Sequence, residues 1–313
     1  MLEKIKNFKR FSFIATAATY FLIFVGGLVR VSGAGLGCPD WPKCFGRWIP
    51  PTNAGQLPPD MDPSMFNFTL AWIEYINRLV GVTIGFLIVI VAFLAIKNFR
   101  NYPRIIIPSI LAALLVAFQG WQGSRVVASE LEPIIVTTHM VIAFIIVSLL
   151  LYVSLQAHRL AGSDAEKNTK YPAGMKLWIG LLWVMVIIQV MMGTQVRSAI
   201  EINARQFPQL TASDWLDKVG MVSHTHSILG VMVIFLAFFV VFKLLAGGGR
   251  PSLLVRQSSI SIIILICIQL LLGIVLYIGA IPPVMQVLHL WIASLITGLC
   301  LILYTAMKKE QEN

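Results

Sequence analysis

The stretch EYINRLVGVTIGFLIVIVAFLAI, residues 74–96, opens on a charged and polar turn and then runs apolar to its end. A counterpart lies 149 positions on, SHTHSILGVMVIFLAFFVVFKLL at 223–245, in which Gly81 meets Gly230 and Asn77 meets His226. Other pairs sit at nearby offsets. Gln119/Gln269, Gly123/Gly273, Pro133/Pro283 and His139/His289 are 150 apart; Gly26, Val29 and Arg30 precede Gly193, Val196 and Arg197 by 167. The chain reads as two copies of one membrane unit. The copies differ at one chemically decisive place, Asn77 against His226.

Working outward, the 313 residues are 58% hydrophobic and 12% charged, with a mean hydropathy of +0.82. So few charges suit an integral membrane protein, not a soluble one. Eight apolar stretches are long enough to span, at 11–31, 68–96, 105–127, 133–157, 177–197, 219–245, 258–281 and 284–307. Backbone groups in lipid must be satisfied within their own segment, so the expected fold is all-α: eight transmembrane helices in two pseudo-symmetric four-helix bundles. The units are 11–157 and 177–307, joined by a polar cytoplasmic linker at 158–176; a second cytoplasmic turn is AGGGRPS, 246–252. Lys4, Lys6, Lys9 and Arg10 precede the first stretch, which is read as an uncleaved span.

The net charge of +10 raises the question of a nucleic-acid partner, and charge placement answers it. Sixteen of the 24 Lys and Arg fall on one side, at the N-terminus, 97–104, 158–176, 243–256 and 308–309. This is the positive-inside pattern, with both termini cytoplasmic in a multi-pass plasma-membrane protein. The basic excess speaks of topology and anionic headgroups, and no nucleic acid is expected.

Cys38 and Cys44, in the long first outer loop, have five residues between them on an oxidising face, where a disulfide is expected. It can be a loop staple or a dithiol exchanging electrons with a partner. No second Cys/His pair lies nearby to make a zinc site. Cys267 and Cys300 fall inside spans.

His139, His226 and His289 each lie slightly inside the outer end of a span, and Asn77 sits at the same depth in span two. Coordinating groups inside a membrane mark functional sites. One buried histidine is commonly a hydrogen-bonded structural residue, but three at one depth point to a ligand set. Paired imidazoles in an apolar bundle without acidic or cysteine clusters suit haem iron. His226 and His289 can clamp one haem in the second unit. Gly230 and Gly81, one turn on from His226 and Asn77, would let a macrocycle approach, or serve close helix packing. His224 points to nearly the opposite face from His226. In the first unit His139 has only Asn77 opposite, leaving an open iron face of the kind oxygen activation needs. Glu74 shares a face with Asn77 and Arg78 and is placed for proton transfer; a plain Glu74–Arg78 salt bridge is the alternative. Arg30, Arg125 and Arg197, near outer helix ends, can pair with haem propionates or reach to headgroups.

GGLVRVSGAGLGCPDWPKC (26–44), EYINRLVG (74–81), GTQVRS (193–198) and the single-histidine patterns around His139, His226 and His289 resemble the haem A synthase family over nearly the whole chain. The resemblance implies oxidation of the haem O methyl group to a formyl group, giving haem A for terminal oxidases, by successive hydroxylation and loss of water. It implies a b-type haem on His226 and His289. It implies a substrate haem site in the first unit with His139, Asn77 and Arg78, Glu74 as the catalytic acid, and haem sites towards the outer face. The family's other first-unit histidine maps to Asn77, a departure from its pattern. Cys38 and Cys44 match the cysteine pair that a subset of the family carries. Implied partners are a synthase supplying haem O, a membrane electron donor such as quinol, and the lipid bilayer. Two competing readings are a non-catalytic b-type cytochrome passing electrons from quinol and a repeat-built transporter. Glu74 beside an open His139 site favours the enzyme over the cytochrome; polar groups near one surface, not at the midplane, disfavour the transporter.

Overall fold

Every long apolar stretch becomes a helix. In a computed structural model, which describes residues 2–161, 171–247, 251–279 and 281–307, the elements are α1 (Leu2–Val31), α2 (Phe68–Asn98), α3 (Pro103–Ala128), α4 (Pro133–Leu160), α5 (Met175–Gln206), α6 (Ala212–Asp217), α7 (Met221–Ala246), α8 (Leu253–Ile278) and α9 (Pro283–Ala306). All but α6 are long and apolar enough to cross a membrane. No strand occurs among the described residues, and the protein is an all-α polytopic membrane protein. Polar residues 163–170 of the expected linker, residues 248–250 of the second turn, and Lys308 and Lys309 lie outside the described residues.

Helix ends differ from the expected spans where polar chain continues a helix. The basic leader forms the first turns of α1. α5 runs past 197 to Gln206, and its added turns carry the Arg197–Glu201 ion pair at 2.8 Å. The short α6, which hydropathy does not reveal, is set by a capping box: Asp214 accepts from the Thr211 backbone, and Thr211 Oγ1 accepts from the Asp214 backbone. Those bonds hold the exposed Asp214 carboxyl below its ordinary range. Pro133 and Pro283, 150 positions apart, are the first residues of α4 and α9, where a missing N–H costs nothing.

The chain packs as two compact units, Met1–Val153 and Ser154–Asn313. In the first, α2 packs between α1 and α3, and the 3-10 turn Ala34–Leu36 caps α1 and α2. In the second, α5 packs on α7 and α9, and α8 on α7 and α9. Its core takes Ile179, Leu182 and Val186 from α5, Val233, Ala237 and Val240 from α7, Ile262 and Ile266 from α8, and Ile296, Cys300 and Leu303 from α9.

The outer faces are as apolar as the core. On α5, Leu177, Leu181, Val184, Ile188 and Met191 are exposed at helical spacing, opposite the buried stripe. A helix apolar all round is a membrane helix. In lipid, close packing rather than water exclusion separates inside from outside, and α7 shows it: Ala237 and Val240 face inwards while Phe235, Phe238 and Phe242 face outwards. Hydroxyls inside the helices bond back along their own chain, as Thr16 does to the Ser12 carbonyl at 2.8 Å and Ser109 to Ile105 at 2.7 Å.

Two neighbouring leucines test this division. Leu182 is 0% exposed and Leu181 is 42% exposed. Leu182→Ala leaves a cavity and should cost about 2 kcal/mol or more. Leu181→Ala, on the outer face, should stay within about 0.5 kcal/mol of the parent. Unfolding in detergent micelles followed by circular dichroism measures both.

Candidate functional site

The loop between α1 and α2 is sewn onto the start of α2 by one buried carboxylate. Glu74 is 4% exposed. Its Oε2 accepts the Cys38 backbone N–H at 2.8 Å, and its Oε1 pairs with the Arg78 guanidinium one turn on. The same guanidinium donates from Nη1 to the Asp40 carbonyl at 2.9 Å and the Lys43 carbonyl at 2.7 Å. Cys38 and Cys44 are joined by a disulfide with Cα atoms 4.8 Å apart. Arg78 therefore grips the loop that the disulfide closes, and the ion pair that its spacing allows is formed.

Asp40 completes the knot. Its carboxylate accepts the N–H of Phe45 at 2.6 Å and of Gly46 at 2.9 Å. These are consecutive residues at positive φ, 53° and 72°, a turn whose amides point one way. Phe45, Cys38, Cys44 and Ala71 form a small core over the end of α2, with Leu57, Met61 and Phe66 against it. Gly37 lies so close to the Leu70 carbonyl that no Cβ fits there.

In the second unit, α7 and α9 bring His226 and His289 together edge to face, ring centroids 6.4 Å apart and planes at 62°. Two imidazoles bound to one metal from opposite sides, through bonds of about 2 Å, have centroids about 6 Å apart. The pair thus suits a bis-imidazole haem iron. The Nδ1 atoms of both rings are buried with no protein partner. Each ring lies on a glycine of a neighbouring helix: a Cβ on Gly193 would stand 3.4 Å from His226 Cε1, and one on Gly273 3.6 Å from His289 Cε1. Gly230 serves close helix packing, one of the two uses expected of it. A Cβ there would stand 3.1 Å from Gln189 Nε2, which donates to the His226 carbonyl at 2.9 Å. His224 is exposed, as its position two residues from His226 implies.

In the first unit, His139 stands on α4 and Asn77 on α2. His139 Nδ1 and Asn77 Oδ1 are buried without a protein partner. Gln119 Nε2 donates to the His139 carbonyl at 2.8 Å. A Cβ at Gly26, Gly81 or Gly123 would meet nothing within 4 Å. Gly193 and Gly273, 167 and 150 positions on from Gly26 and Gly123, have imidazoles against them instead. Space stands open beside the three glycines of the first unit.

Arg30 and Arg125 stand in the last turns of α1 and α3. Arg197 is bonded to Glu201. Sequence reasoning missed Asp40 and Gln189. The only signal for Asp40 is an acidic residue shortly before a Phe-Gly turn. Gln189 has Leu22, not a glutamine, 167 positions before it, so self-comparison passes over it.

A family model described as cytochrome oxidase assembly protein (COX15-CtaA) matches residues 9–301. The chain is 31% identical to the heme A synthase of Shewanella oneidensis over 66% of its own length and 62% of the relative's. It is 24% identical to the heme A synthase of Alkalihalophilus pseudofirmus, covering 76% of this chain and 77% of that one. With the heme A synthase of Exiguobacterium sibiricum the identity is 25% over 92% of this chain and 91% of the relative.

The clamp makes a direct prediction. Arg78→Ala leaves the Glu74 carboxylate buried without its countercharge and frees two loop carbonyls, at a cost on the order of 3 kcal/mol. Arg78→Lys restores the charge without the fork and should fall between. Thermal unfolding in detergent reads the loss. Maleimide labelling after mild reductant should find Cys38 and Cys44 more readily reduced in Arg78→Ala than in the parent.

Proposed function

The chain belongs to the COX15-CtaA family of cytochrome oxidase assembly proteins, and from that premise we propose that it is a haem A synthase, oxidising the methyl group of haem O to the formyl group of haem A. The observation that carries the reading is the contrast between the units: a facing histidine pair in one, a single histidine with Asn77 and open space in the other. A metal with both axial positions taken suits electron transfer, and one with a free position suits chemistry. The second unit, 177–307, is read as the electron-transfer half, with His226 and His289 holding a b-type haem that supplies electrons singly. The first unit, 11–157, is read as the half that takes the substrate haem, with His139 as its protein ligand.

The residues of the first unit then have distinct tasks. His139, its helix braced by Gln119, presents imidazole nitrogen to the substrate iron. Asn77 offers a carboxamide where imidazole would close the opposite side, and a carboxamide is the weaker donor to iron. Glu74 is the one carboxylate buried at this end of α2, and it can take up or release a proton as the substrate methyl is oxidised. Arg78, through Glu74 and the loop carbonyls, keeps that carboxylate in place and the outer end closed. Arg30, Arg125 and Arg197 supply cations at outer helix ends for the propionates. The positive-inside pattern puts both termini in the cytoplasm and both sites towards the outer face of the plasma membrane. A synthase that makes haem O supplies the substrate, and a membrane reductant such as quinol supplies the electrons.

Two experiments test this. His226→Ala or His289→Ala should abolish the low-spin b-haem optical spectrum of the purified protein; a normal low-spin spectrum in both variants would exclude the pair as ligands. Glu74→Gln should keep that spectrum and its haem content, yet lower haem A yield by about 100-fold or more, since it removes the titrating proton and keeps the size. The assay is extraction and chromatography of haem from cells that also make haem O, and an unchanged yield would remove Glu74 from the mechanism.

A further inference from the structure

Gln-x-x-x-Gly occurs three times in the chain, as Gln119/Gly123, Gln189/Gly193 and Gln269/Gly273. Each copy lies on a helix beside one that carries a histidine of the two sites. The middle copy shows its full use. Gln189 and Gly193 are one turn apart on α5 and share a face. Gln189 Nε2 donates to the His226 carbonyl at 2.9 Å, and Gly193 lies under the His226 ring, where a Cβ would be 3.4 Å from Cε1. The opposing pair, His226 and Gly230, is also one turn apart. Within an α-helix the His226 carbonyl accepts the N–H of Gly230. A carbonyl oxygen has a second lone pair, and it goes to Gln189. The missing Cβ of Gly230 leaves the amide room to reach it, since a Cβ would stand 3.1 Å from Nε2. Backbone and ring of one histidine are thus both gripped by one face of α5.

The other copies show the parts separately. Gln119 Nε2 donates to the His139 carbonyl at 2.8 Å, and Gly273 lies under the His289 ring. The fourth position of the repeat is the informative one. At the 167-residue offset, Gly193 falls on Gly26 and Gln189 falls on Leu22; at the 149-residue offset, Gly230 falls on Gly81 and His226 on Asn77. The first unit keeps both glycines and lacks both the glutamine and the histidine. A residue needed only for helix packing would have no reason to be absent together with the imidazole.

We propose that Gln189 is a positioning residue for His226: with Gly193 and Gly230 it fixes the rotation of α7 and the plane of the imidazole, and Gln-x-x-x-Gly is the sequence signature of a braced histidine in this chain. This rests on the reading of His226 as a haem ligand. The brace acts on the angle at which the imidazole meets the iron, so it acts on the electronic structure of a bound haem more than on whether haem is bound.

The test is low-spin electron spin resonance of the purified protein, with haem content measured alongside. Gln189→Leu removes the amide. Gln189→Met keeps the length but has no N–H or O–H to donate to the carbonyl. Both should retain at least half of the haem and shift its g-values. Gly230→Ala leaves Gln189 in place and pushes its amide aside, so it should shift them in the same direction by less, and it carries the test if the Gln189 variants do not fold. Leu182→Ala, which loosens the same bundle away from His226, should lower the unfolding temperature with g-values unmoved. Parental g-values in every folded Gln189 and Gly230 variant, in a protein whose His226→Ala form has lost the low-spin signal, would overturn the brace alone. A low-spin signal that survives His226→Ala would overturn the ligand reading on which it rests.

Discussion

A buried carboxylate needs its charge answered on the spot, and at Glu74 the answer organises the loop end of the first unit. Its two oxygens go to different chain segments, Oε2 to the Cys38 amide and Oε1 to Arg78. Arg78 in turn spends Nη1 on two carbonyls of the disulfide loop. Removal of either charged partner strands the other in low dielectric. The pair is thus a weak source of net stability but a strong source of register: loop, disulfide and α2 can meet in only one way with all these groups satisfied. The same geometry keeps the carboxylate close to Asn77 on its own helix. A structural clamp and a proton-handling group are compatible roles for one residue, provided the clamp holds it at the site.

Lipid changes what positions a side chain elsewhere. Water does not sort the faces of these helices, so Leu181 and Leu182 are alike in hydropathy and opposite in burial. What sorts them is position on the helix: the residues whose shapes fit the neighbouring helices face inwards, Leu182 among them. Polar side chains between helices therefore carry unusual information. Gln119 and Gln189 each reach across to the carbonyl of a histidine on the next helix. In a water-driven core, shape alone would do much of that work.

This explains what could be read from residues and what could not. The eight spans were legible because the length of an apolar run is set by the bilayer, and α2, α4, α7 and α9 lie close to where hydropathy puts them. The His226–His289 meeting was legible because depth in the membrane is a sequence count, and equal depth on helices of one bundle brings rings together. The Cys38–Cys44 bond was legible from short spacing on an oxidising face. Asp40 was not, since its role depends on two positive-φ residues whose conformation no local pattern announces. Gly230 was read as space for a ligand or for close helix packing, and that its packing partner is the Gln189 amide of α5 could be known only with the identity of the neighbouring helix. α6 escaped because its cause is a capping box, not an apolar run.

The asymmetry between the units follows one physical line. Wherever a histidine is present at these depths, the neighbouring helix supplies a glutamine for its carbonyl, a glycine for its ring, or both. In α1, the residues 167 positions before Gln189 and Gly193 are Leu22 and an uncrowded Gly26, and in α2 Asn77 is followed one turn on by an uncrowded Gly81. The Asn77 Oδ1 is buried and bonded to nothing in the protein. A buried amide oxygen without a donor is costly unless something polar comes to it. Closing both sides of a metal suits a cofactor held permanently, and that is the task proposed for His226 and His289. A unit that must admit a bulky substrate, react at its edge and release it gains from one firm ligand, one weak donor and room beside them, the parts proposed for His139, Asn77 and the bare glycines.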